Sequence, residues 1–558
     1  MKKFSVITFL ILTIFQLSQA QIKSSSLLTS KPIQFEKTIF EIRLVENWKN
    51  PYLQEDVAVN MYITSPSGKQ LLLPCFYESG ESGSESVWKA HFAPQEVGQY
   101  QYEFQLSKFE KLISSTKLLT FNSKKSDENG FLHSKNNWAF QFDNGNPFRG
   151  IGENICWESR ANDDSKYFKA LHEKPKYNYN YMLTSLAENG GNFFRTWMCS
   201  WNLPIDFKDH FNNNRYTPSD QYYNPSAIAK MDSMIDLCES QDLYIMLTLG
   251  PGAYGKREGG FADSADDFFD NPQSVKRYKN RLRYIVARWG YSTSIGAWEF
   301  FNEVDNVQFR NQANPIETAK IVQWHNEMST YLKKIDPYGH LTTTSISHRD
   351  LDGLNSIKNI DFNQKHIYKH TDIIPDEIVK YEKKLGKPYV IGEFGYEWDW
   401  SKNFNEFADE MDFDFKRGLW YGMFSPTPIL PLSWWWEFFD DRRMTSYFKG
   451  VREMNDQMLE AGNGEFQKID VRADGLQAFG VQCGKKLFVY LLNESETVVQ
   501  ADVLFPGLFD KNYQVEQFDP ALVQYKKEGQ LEGASLGVSI RKITLNAKDE
   551  LILILSAK

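Results

Sequence analysis

Two short stretches of this sequence each close a buried, apolar run with a glutamate. Residues 297–305 are apolar and aromatic up to the pair Asn302-Glu303. Residues 389–396 repeat the arrangement and place Glu393 between glycines. Runs of this kind are typical of strands that are covered on both faces, as in a parallel sheet. Two strands that each end in a carboxylate predict a facing pair of acids, which is what hydrolysis of a glycosidic bond requires.

The elements around these two stretches predict a (β/α)8 TIM barrel, in which such acids lie at the carboxyl ends of the strands. Beyond the polar, turn-rich residues 123–130 the pattern alternates strands with helices. Besides the two stretches above, strands are predicted within residues 146–154, 192–197, 243–249, 341–345, 362–368 and 429–436. Helices are predicted at residues 179–189, 228–240, 275–289, 316–335, 376–385 and 413–422.

The regions on either side of the barrel have strand patterns. Residues 57–63 and 98–104 show strand alternation, and turn chemistry at 65–68 separates two strands. From about residue 465 the chain becomes rich in strand patterns again. The predicted organisation is multidomain: a signal peptide at 1–20, an N-terminal β-sandwich at 21–125, a (β/α)8 barrel at 131–462 and a C-terminal β-sandwich at 465–558.

Composition and charge narrow the function classes. The net charge of −9 and the absence of a basic patch argue against nucleic acid as a partner. Lys2 and Lys3 precede an apolar run that ends at the small-residue site 18–20, so we expect an exported protein, periplasmic or secreted. No later apolar run reaches about 18 residues, so no membrane anchor is expected. The scattered cysteines predict buried free thiols, with a Cys156–Cys199 bridge as the alternative.

With Asn302-Glu303 and Glu393 placed at the ends of the fourth and seventh strands, the barrel resembles glycoside hydrolase clan A. That clan contains retaining (β/α)8 glycosidases such as cellulases, mannanases and β-galactosidases. The resemblance implies that Glu303 is the acid/base, that Glu393 is the nucleophile and that no cofactor or metal is needed. The N-terminal region, with Trp88 and the ending at 98–104, is similar to the Ig-like module of exported bacterial polysaccharide hydrolases.

The resemblance also assigns residues around the two acids. Arg195, at the end of the second strand, is implied as the positive partner of Glu393. Tyr368, at the end of the sixth strand, would donate a hydrogen bond to Glu393, and His366 joins the substrate-binding set. Asn302 would hold the sugar 2-hydroxyl, a contact that strengthens toward the transition state. Glu303 must hold a proton at neutral pH, and burial beside a second carboxylate would favour that.

Tryptophans follow several predicted strands, where their faces could stack on sugar rings. The run 434–436 closes the eighth strand, and strand alternation would send Trp434 and Trp436 to one face and Trp435 to the other. The clan stacks a tryptophan of this strand under the reactive sugar, which favours Trp434 or Trp436. Other aromatic residues predicted at the rim follow other strands: Trp157, Trp197, Trp201, Tyr254, Trp398 and Trp400.

Several assignments have rivals. Glu299 shares the strand of Glu303, but its place inside the barrel favours a structural ion pair with an arginine. Glu397 and Asp399 follow Glu393 closely enough to replace it. His366 and His370 have metal-ligand spacing, yet no third ligand is evident in the sequence.

The leading hypothesis is a retaining hydrolase of β-glycosidic bonds in a plant or algal polysaccharide or its oligosaccharides, with endo action favoured. The alternatives are an exo-acting β-glycosidase and a non-catalytic carbohydrate-binding protein. The retained set Asn302, Glu303 and Glu393, with Arg195 and Tyr368, favours the enzyme.

Overall fold

A computed structural model describes residues 21–250, 262–510, 512–527 and 530–557 of the chain. Its central part is the predicted barrel of parallel strands and outer helices. The strands are Gly152–Asn154, Phe193–Trp197, Tyr244–Thr248, Ile295–Glu299, Leu341–Thr343, Ser345–Ile346, Asn363–Tyr368 and Tyr389–Gly395. The helices are Lys169–His172, Tyr179–Glu188, Pro225–Ser240, Ala265–Asp270, Pro272–Trp289, Val304–Gln308, Thr318–Ile335, Ile374–Leu385, Ala408–Met423, Trp436–Asp441 and Phe448–Gly462. The multidomain barrel architecture predicted from the sequence is confirmed.

Local sequence signals explain where several of the outer helices begin. The side chains of Asn178, Asn224 and Asn271 each accept a hydrogen bond from a backbone N–H of the first turn that follows. Asparagine is among the preferred residues at this position because it satisfies donors that have no partner inside the helix. Proline follows two of these caps, at Pro225 and Pro272, where its missing N–H costs nothing.

The barrel closes through the segment 428–434 rather than through a regular eighth strand. The other strands form a five-stranded and a three-stranded parallel sheet, and the fifth strand is interrupted at Thr344. Asn154 N donates to Ser433 O at 2.9 Å, which links the segment to the first strand. Phe394 N donates to Leu432 O at 3.0 Å, which links it to the seventh. The segment that takes the place of the eighth strand is thus joined to both neighbouring strands by only a few backbone hydrogen bonds.

The barrel interior is filled by apolar side chains contributed by nearly every strand, including Phe193, Met246, Ala297 and Val390. A small antiparallel sheet covers one end of this core, and the sequence analysis did not anticipate it. Its strands are Leu132–Ser134, Phe140–Phe142 and Pro147–Phe148. Phe140, Phe142 and Phe148 pack into the same cluster as the barrel interior. The opposite end of the barrel, where the strands finish, is therefore the end that can carry polar, reactive side chains.

The first strand lies within the predicted stretch and begins at Gly152, because Pro147 and Phe148 belong to the covering sheet. Two predicted strand boundaries are wrong. The fourth ends at Glu299, so Glu303 lies in an irregular segment after it. The eighth was expected over 429–436, yet Trp435 has a left-handed backbone and Trp436 begins a helix. Apolar residue type alone does not separate a strand from a buried loop or helix start.

The N-terminal region consists of two antiparallel sheets. One contains Gln21–Leu27, Thr38–Val45, Glu85–Phe92 and Phe76–Gly80, and the other contains Gln70–Pro74, Val57–Thr64, Gly98–Lys108, Lys111–Ser115 and Leu119–Ser123. Aromatic rings join the sheets, since Phe40 of the first contacts Tyr102 and Phe121 of the second. Each sheet buries alternate residues, as the period of two requires. The likeness to an Ig module remains a prediction.

These N-terminal sheets pack on the outside of the barrel, mainly against the helix Pro272–Trp289. Arg283 is buried and its Nη2 donates to Val59 O at 2.6 Å. Asn280 Oδ1 accepts from Gln54 N at 3.0 Å, and Tyr338 Oη accepts from Ala93 N at 3.1 Å. The N-terminal sheets are therefore joined to the outer helical layer of the barrel by specific hydrogen bonds, away from the ends of the strands.

The C-terminal region also contains two antiparallel sheets. One is built from Phe466–Ile469, Gln477–Cys483, Lys486–Leu492, Glu550–Ala557, Tyr513–Asp519 and Gln524–Lys527, and the other from Arg472–Ala473, Val499–Pro506, Gly537–Leu545 and Glu532–Ala534. Tyr490 of the larger sheet stacks on Trp420 of a barrel helix. The cysteines are buried and free. Within the described residues, no helix combines the length and the hydropathy needed to cross a bilayer.

Candidate active site

Glu303 and Glu393 meet at the carboxyl ends of the barrel strands. Glu393 lies in the seventh strand and is buried, whereas Glu303 is partly exposed. Three atoms lie within 4.8 Å of one another: one carboxylate oxygen of Glu303, one of Glu393 and a ring nitrogen of His366. A short gap of this kind matches retaining glycosidases, in which the two carboxyl groups are about 5–5.5 Å apart. The wider gap of inverting enzymes, which leaves room for a water molecule, is absent between these two side chains.

Arg195 anchors this pair from the second strand. Its Nη1 donates to Glu393 Oε1 at 2.6 Å, and its Nη2 donates to Asn302 Oδ1 at 2.6 Å. Its Nε and Nη2 also donate to the two oxygens of Glu299, at 2.6 and 2.9 Å. Its Nη1 also donates to Asn154 Oδ1 at 3.2 Å, so one buried guanidinium fixes four side chains with its planar fork of donors.

The rivals of the two acids lie elsewhere. Glu299 is completely buried, and its Oε2 also accepts from Thr248 Oγ1 at 2.5 Å. Its hydrogen bonds therefore fit the structural ion pair that the sequence analysis favoured. Glu397 pairs with Lys369 and Lys402, and Asp399 caps the turn at Ser401. Neither reaches the site between Glu303 and Glu393.

The sixth strand supplies two partners. Tyr368 Oη donates to Glu393 Oε2 at 2.6 Å. His366 Nδ1 is 2.8 Å from Glu303 Oε1 and 3.4 Å from Glu393 Oε2, so the imidazole bridges the two acids. The sequence shows no third metal ligand beside His366 and His370. The fold brings Glu303 and Glu393 to His366, and these three residues together have the spacing of metal ligands. His370 does not join this cluster, which is the one group with metal-ligand spacing among the described residues.

The backbone at Glu303 was not foreseen from the sequence. Glu303 adopts a left-handed conformation, with φ of 46°, at the start of the helix Val304–Gln308. Such a conformation is costly for a non-glycine residue and persists where neighbours enforce it. Ser345 Oγ accepts from Glu303 N at 2.9 Å. Two residues on, the buried Asp305 accepts from the backbone N–H groups of Ser347, His348 and Arg349.

The protonation of the pair differs from the sequence-based expectation that Glu303 would hold its proton and Glu393 would be easily ionised. Burial raises the pKa of Glu393, although His366 and Arg195 oppose it. Burial also acts on Glu303, but the hydrogen bond and charge of His366 outweigh it and lower the pKa of Glu303. Burial opposes the charge of His366, yet the two glutamates prevail and raise its pKa. The three groups therefore share their protons and titrate as a unit.

Tryptophan rings form one wall of the site. Trp197 lies 5.6 Å from the Arg195 guanidinium, and its ring is 5.6 Å from that of Trp434. Trp157 makes edge-to-face contacts with Trp434 and Trp436. Trp435 stacks on Phe168, and residues 434–436 do not form the predicted strand.

These rings border a cavity of about 390 Å³. It is lined by Trp157, Arg160, His172, Trp201, Asn212, Trp398, Trp400, Trp434, Trp435, Trp436 and Glu437. Trp398 is 58% exposed, and Lys369 Nζ lies 5.6 Å from the centre of its ring. Tyr254, also predicted at the rim, lies outside the described residues. Arg160, His172 and Glu437 did not emerge from the sequence analysis, because they lie in a loop and in two short helices that carry no clear periodic signal.

Comparison with known families places the segment that holds Glu303 and Glu393 among the glycoside hydrolases. The family model for cellulase (glycosyl hydrolase family 5) matches residues 161–415. A domain of unknown function (DUF5060) matches residues 33–107. The overall architecture is similar to that of a candidate glycoside hydrolase from Bacteroides vulgatus ATCC 8482, with a TM-score of 0.68, 14% identity and coverage of 95% of this chain and 100% of the other. At this identity the likeness concerns the fold.

Curated relatives match parts of the chain. Mannan endo-1,4-beta-mannosidase A of Podospora anserina is 25% identical over 207 residues, which cover 31% of this chain and 52% of the relative. Mannan endo-1,4-beta-mannosidase 8 of Oryza sativa subsp. japonica is 26% identical over 279 residues, which cover 41% of this chain and 72% of the relative. A probable mannan endo-1,4-beta-mannosidase C of Aspergillus terreus is 32% identical over 124 residues, which cover 18% and 30%. The chain thus spans about half or less of the length of two of these three relatives.

Proposed function

Since the central domain of this chain is a glycoside hydrolase of clan A, we propose that the protein is a retaining endo-β-mannanase acting on a β-mannan-type polysaccharide or its oligosaccharides. The observation that carries the mechanism is the short distance between the carboxylates of Glu303 and Glu393, which lie with His366 within 4.8 Å of one another. The choice of mannan rests on the curated relatives that are named mannan endo-1,4-beta-mannosidases. The endo mode is proposed on the same ground.

In the first chemical step, Glu393 attacks the anomeric carbon and Glu303 gives a proton to the departing glycosidic oxygen. The carbon–oxygen bond to the leaving group breaks as the glycosyl–Glu393 ester forms. Arg195 donates to Oε1 of Glu393 and Tyr368 donates to Oε2, so together they orient its carboxylate. Asn302 is fixed by Arg195 and lies where it can meet the sugar 2-hydroxyl.

In the second step a water molecule replaces the leaving group beside Glu303. Glu303, now ionised, takes a proton from the water as the oxygen attacks the anomeric carbon and releases Glu393. His366 Nδ1 lies 2.8 Å from Glu303 Oε1 and 3.4 Å from Glu393 Oε2, so its charge acts on both acids during the cycle. The two displacements together retain the β-configuration.

A panel of polysaccharides tests the proposed substrate. We expect the purified protein to release short manno-oligosaccharides from linear β-1,4-mannan and to be much less active on xylan, β-glucan and galactan. Sizing of the products distinguishes a ladder of oligosaccharides, expected for endo action, from mannose alone, which would assign exo action instead. The Glu393→Gln variant serves as the control for contaminating activity. Strong hydrolysis of another polysaccharide with none of mannan would overturn the substrate, and inactivity on all β-linked polymers would overturn the function.

A further inference from the structure

We propose that Asp305 and Asn306 are positioning residues for the acid/base Glu303. Asp305 ties the short helix Val304–Gln308 to the loop that follows the fifth strand, and Asn306 holds one carboxylate oxygen of Glu303. Neither residue has a role in the two chemical steps described above. The inference rests on the proposed function, because it takes Glu303 as the proton donor.

The acid/base lies where the backbone needs outside support. The fourth strand ends at Glu299, and Glu303 has φ of 46° and ψ of 53°, a conformation that is costly for a residue with a Cβ atom. One support is Ser345 Oγ, which accepts from Glu303 N at 2.9 Å. A helix as short as the one that follows is not stable without tertiary contacts. The residues after Glu303 therefore need a second support.

Asp305 supplies the second support from inside the protein. Its side chain is fully buried and accepts from the backbone N–H groups of Ser347, His348 and Arg349 at 2.7, 3.1 and 3.0 Å. Successive N–H groups of a turn form a concave site that suits a carboxylate. The guanidinium of Arg349 also lies 4.7 Å from the ring of Phe309, directly after the helix. The loop and the helix therefore hold each other in place beside the acid/base.

Asn306 acts on the carboxyl group of the acid/base directly. Its Nδ2 donates to Glu303 Oε2 at 2.9 Å, whereas His366 Nδ1 lies 2.8 Å from Glu303 Oε1. Each oxygen of Glu303 thus has its own partner. Because Asn306 is exposed, this contact adds little to the core and mainly fixes the orientation of the carboxyl group. A proton donor is effective only within hydrogen-bond reach of the departing oxygen, so this orientation bears on the rate.

Two substrates with the same sugars and different leaving groups test the proposal. The probes are phenyl β-mannobioside, whose leaving group needs protonation, and 2,4-dinitrophenyl β-mannobioside, whose leaving group does not. We expect the ratio of kcat/KM for the phenyl substrate to that for the dinitrophenyl substrate to fall about tenfold or more in Asp305→Ala and about threefold or more in Asn306→Ala. For the phenyl substrate the loss should lie in kcat, because the acid acts only in the transition state. Glu303→Gln is the reference and should lower the ratio further.

The control variants separate positioning from a general loss of stability. Asp305→Asn keeps an oxygen that can accept from two of the three N–H groups, so it should restore most of the ratio lost in Asp305→Ala. Asp336 is a matched buried aspartate at the other end of the barrel, before the fifth strand begins. It accepts from the backbone N–H groups of Tyr338 and His340 at 3.1 and 3.2 Å. Asp336→Ala should lower stability and leave the ratio unchanged.

The possible outcomes distinguish this inference from the proposed function. Since Asn306 is exposed, Asn306→Ala should fold even if Asp305→Ala does not. Equal losses on the two substrates in the Asp305 and Asn306 variants, beside a lowered ratio in Glu303→Gln, would overturn the inference alone. A similar fall of the ratio in Asp336→Ala would also overturn it, because the effect would then be general. An unchanged ratio in Glu303→Gln, or a wild-type protein inactive on both substrates, would overturn the proposed function and the inference with it.

Discussion

Replacement of Glu393 by alanine is expected to reduce hydrolysis of activated and natural substrates by about four orders of magnitude or more. A nucleophile that splits one difficult step into two cannot be replaced by its neighbours when its carboxylate is removed. Glu397 and Asp399 lie in other contacts and do not face Glu303. The measurement is kcat/KM on a 2,4-dinitrophenyl β-mannoside, which needs little help from the acid.

Azide should partly restore turnover in this variant. The small anion can enter the space left by the carboxylate and attack the anomeric carbon from the same face, so the product should be an α-glycosyl azide. Glu397→Gln is the matched control, since it removes a nearby carboxylate that pairs with Lys369 and Lys402, and it should keep most of the activity. The assignment of Glu393 as the nucleophile would be contradicted if the Glu393→Ala enzyme were active, or if the Glu397→Gln control were inactive as well.

Replacement of Glu303 by glutamine should separate substrates by their leaving groups. Hydrolysis of mannan oligosaccharides is expected to fall about 10²–10⁴-fold in kcat/KM, which is the usual contribution of a positioned proton donor. The 2,4-dinitrophenyl β-mannoside should lose far less, because its leaving group departs without protonation. Similar losses on the two substrates would mean that Glu303 is not the acid, and Glu299 would be tested next.

The pH profile of the same variant provides a second measurement. In the wild type, kcat/KM should be bell-shaped, because activity requires an ionised Glu393 and a proton on the Glu303–His366 pair. Burial raises the pKa of Glu393, so activity should fall with decreasing pH at a higher pH than an ordinary glutamate would give. The two glutamates raise the pKa of His366, so the basic limb should lie above that of an ordinary histidine. Glu303→Gln should remove or shift the basic limb.

The sequence contains enough local information to predict the barrel and its two acids. Glu303 and Glu393 follow apolar runs of strand length, and their order along the chain assigns them to the fourth and seventh strands. The parallel architecture then brings the strand ends together. The resemblance to clan A, and not a local pattern, singled out Arg195 and Tyr368 as partners of Glu393.

The remaining features of the site are determined by contacts between residues that are far apart in the sequence. No local sequence pattern predicts such contacts. The left-handed backbone at Glu303 depends on Ser345, and the proton sharing of the acids depends on His366. Trp435 leaves the expected strand because its indole N–H donates to Glu397 O at 2.7 Å. Glu437, in a short helix, and Arg160, in a loop, are brought to the same cavity by tertiary packing. Such residues are found by asking which buried polar atoms lack a partner, a question that needs coordinates.

The stereochemistry of the first product tests the central claim most directly. Proton NMR recorded early in the hydrolysis of a β-manno-oligosaccharide, before mutarotation, resolves the α- and β-anomers at the new reducing end. Two displacements through Glu393 predict that the β-anomer appears first and the α-anomer only later, as mutarotation proceeds. An α-anomer that appears first would mean a single displacement by water, which contradicts the close pairing of Glu303 with Glu393 and the role of Glu393 as a nucleophile.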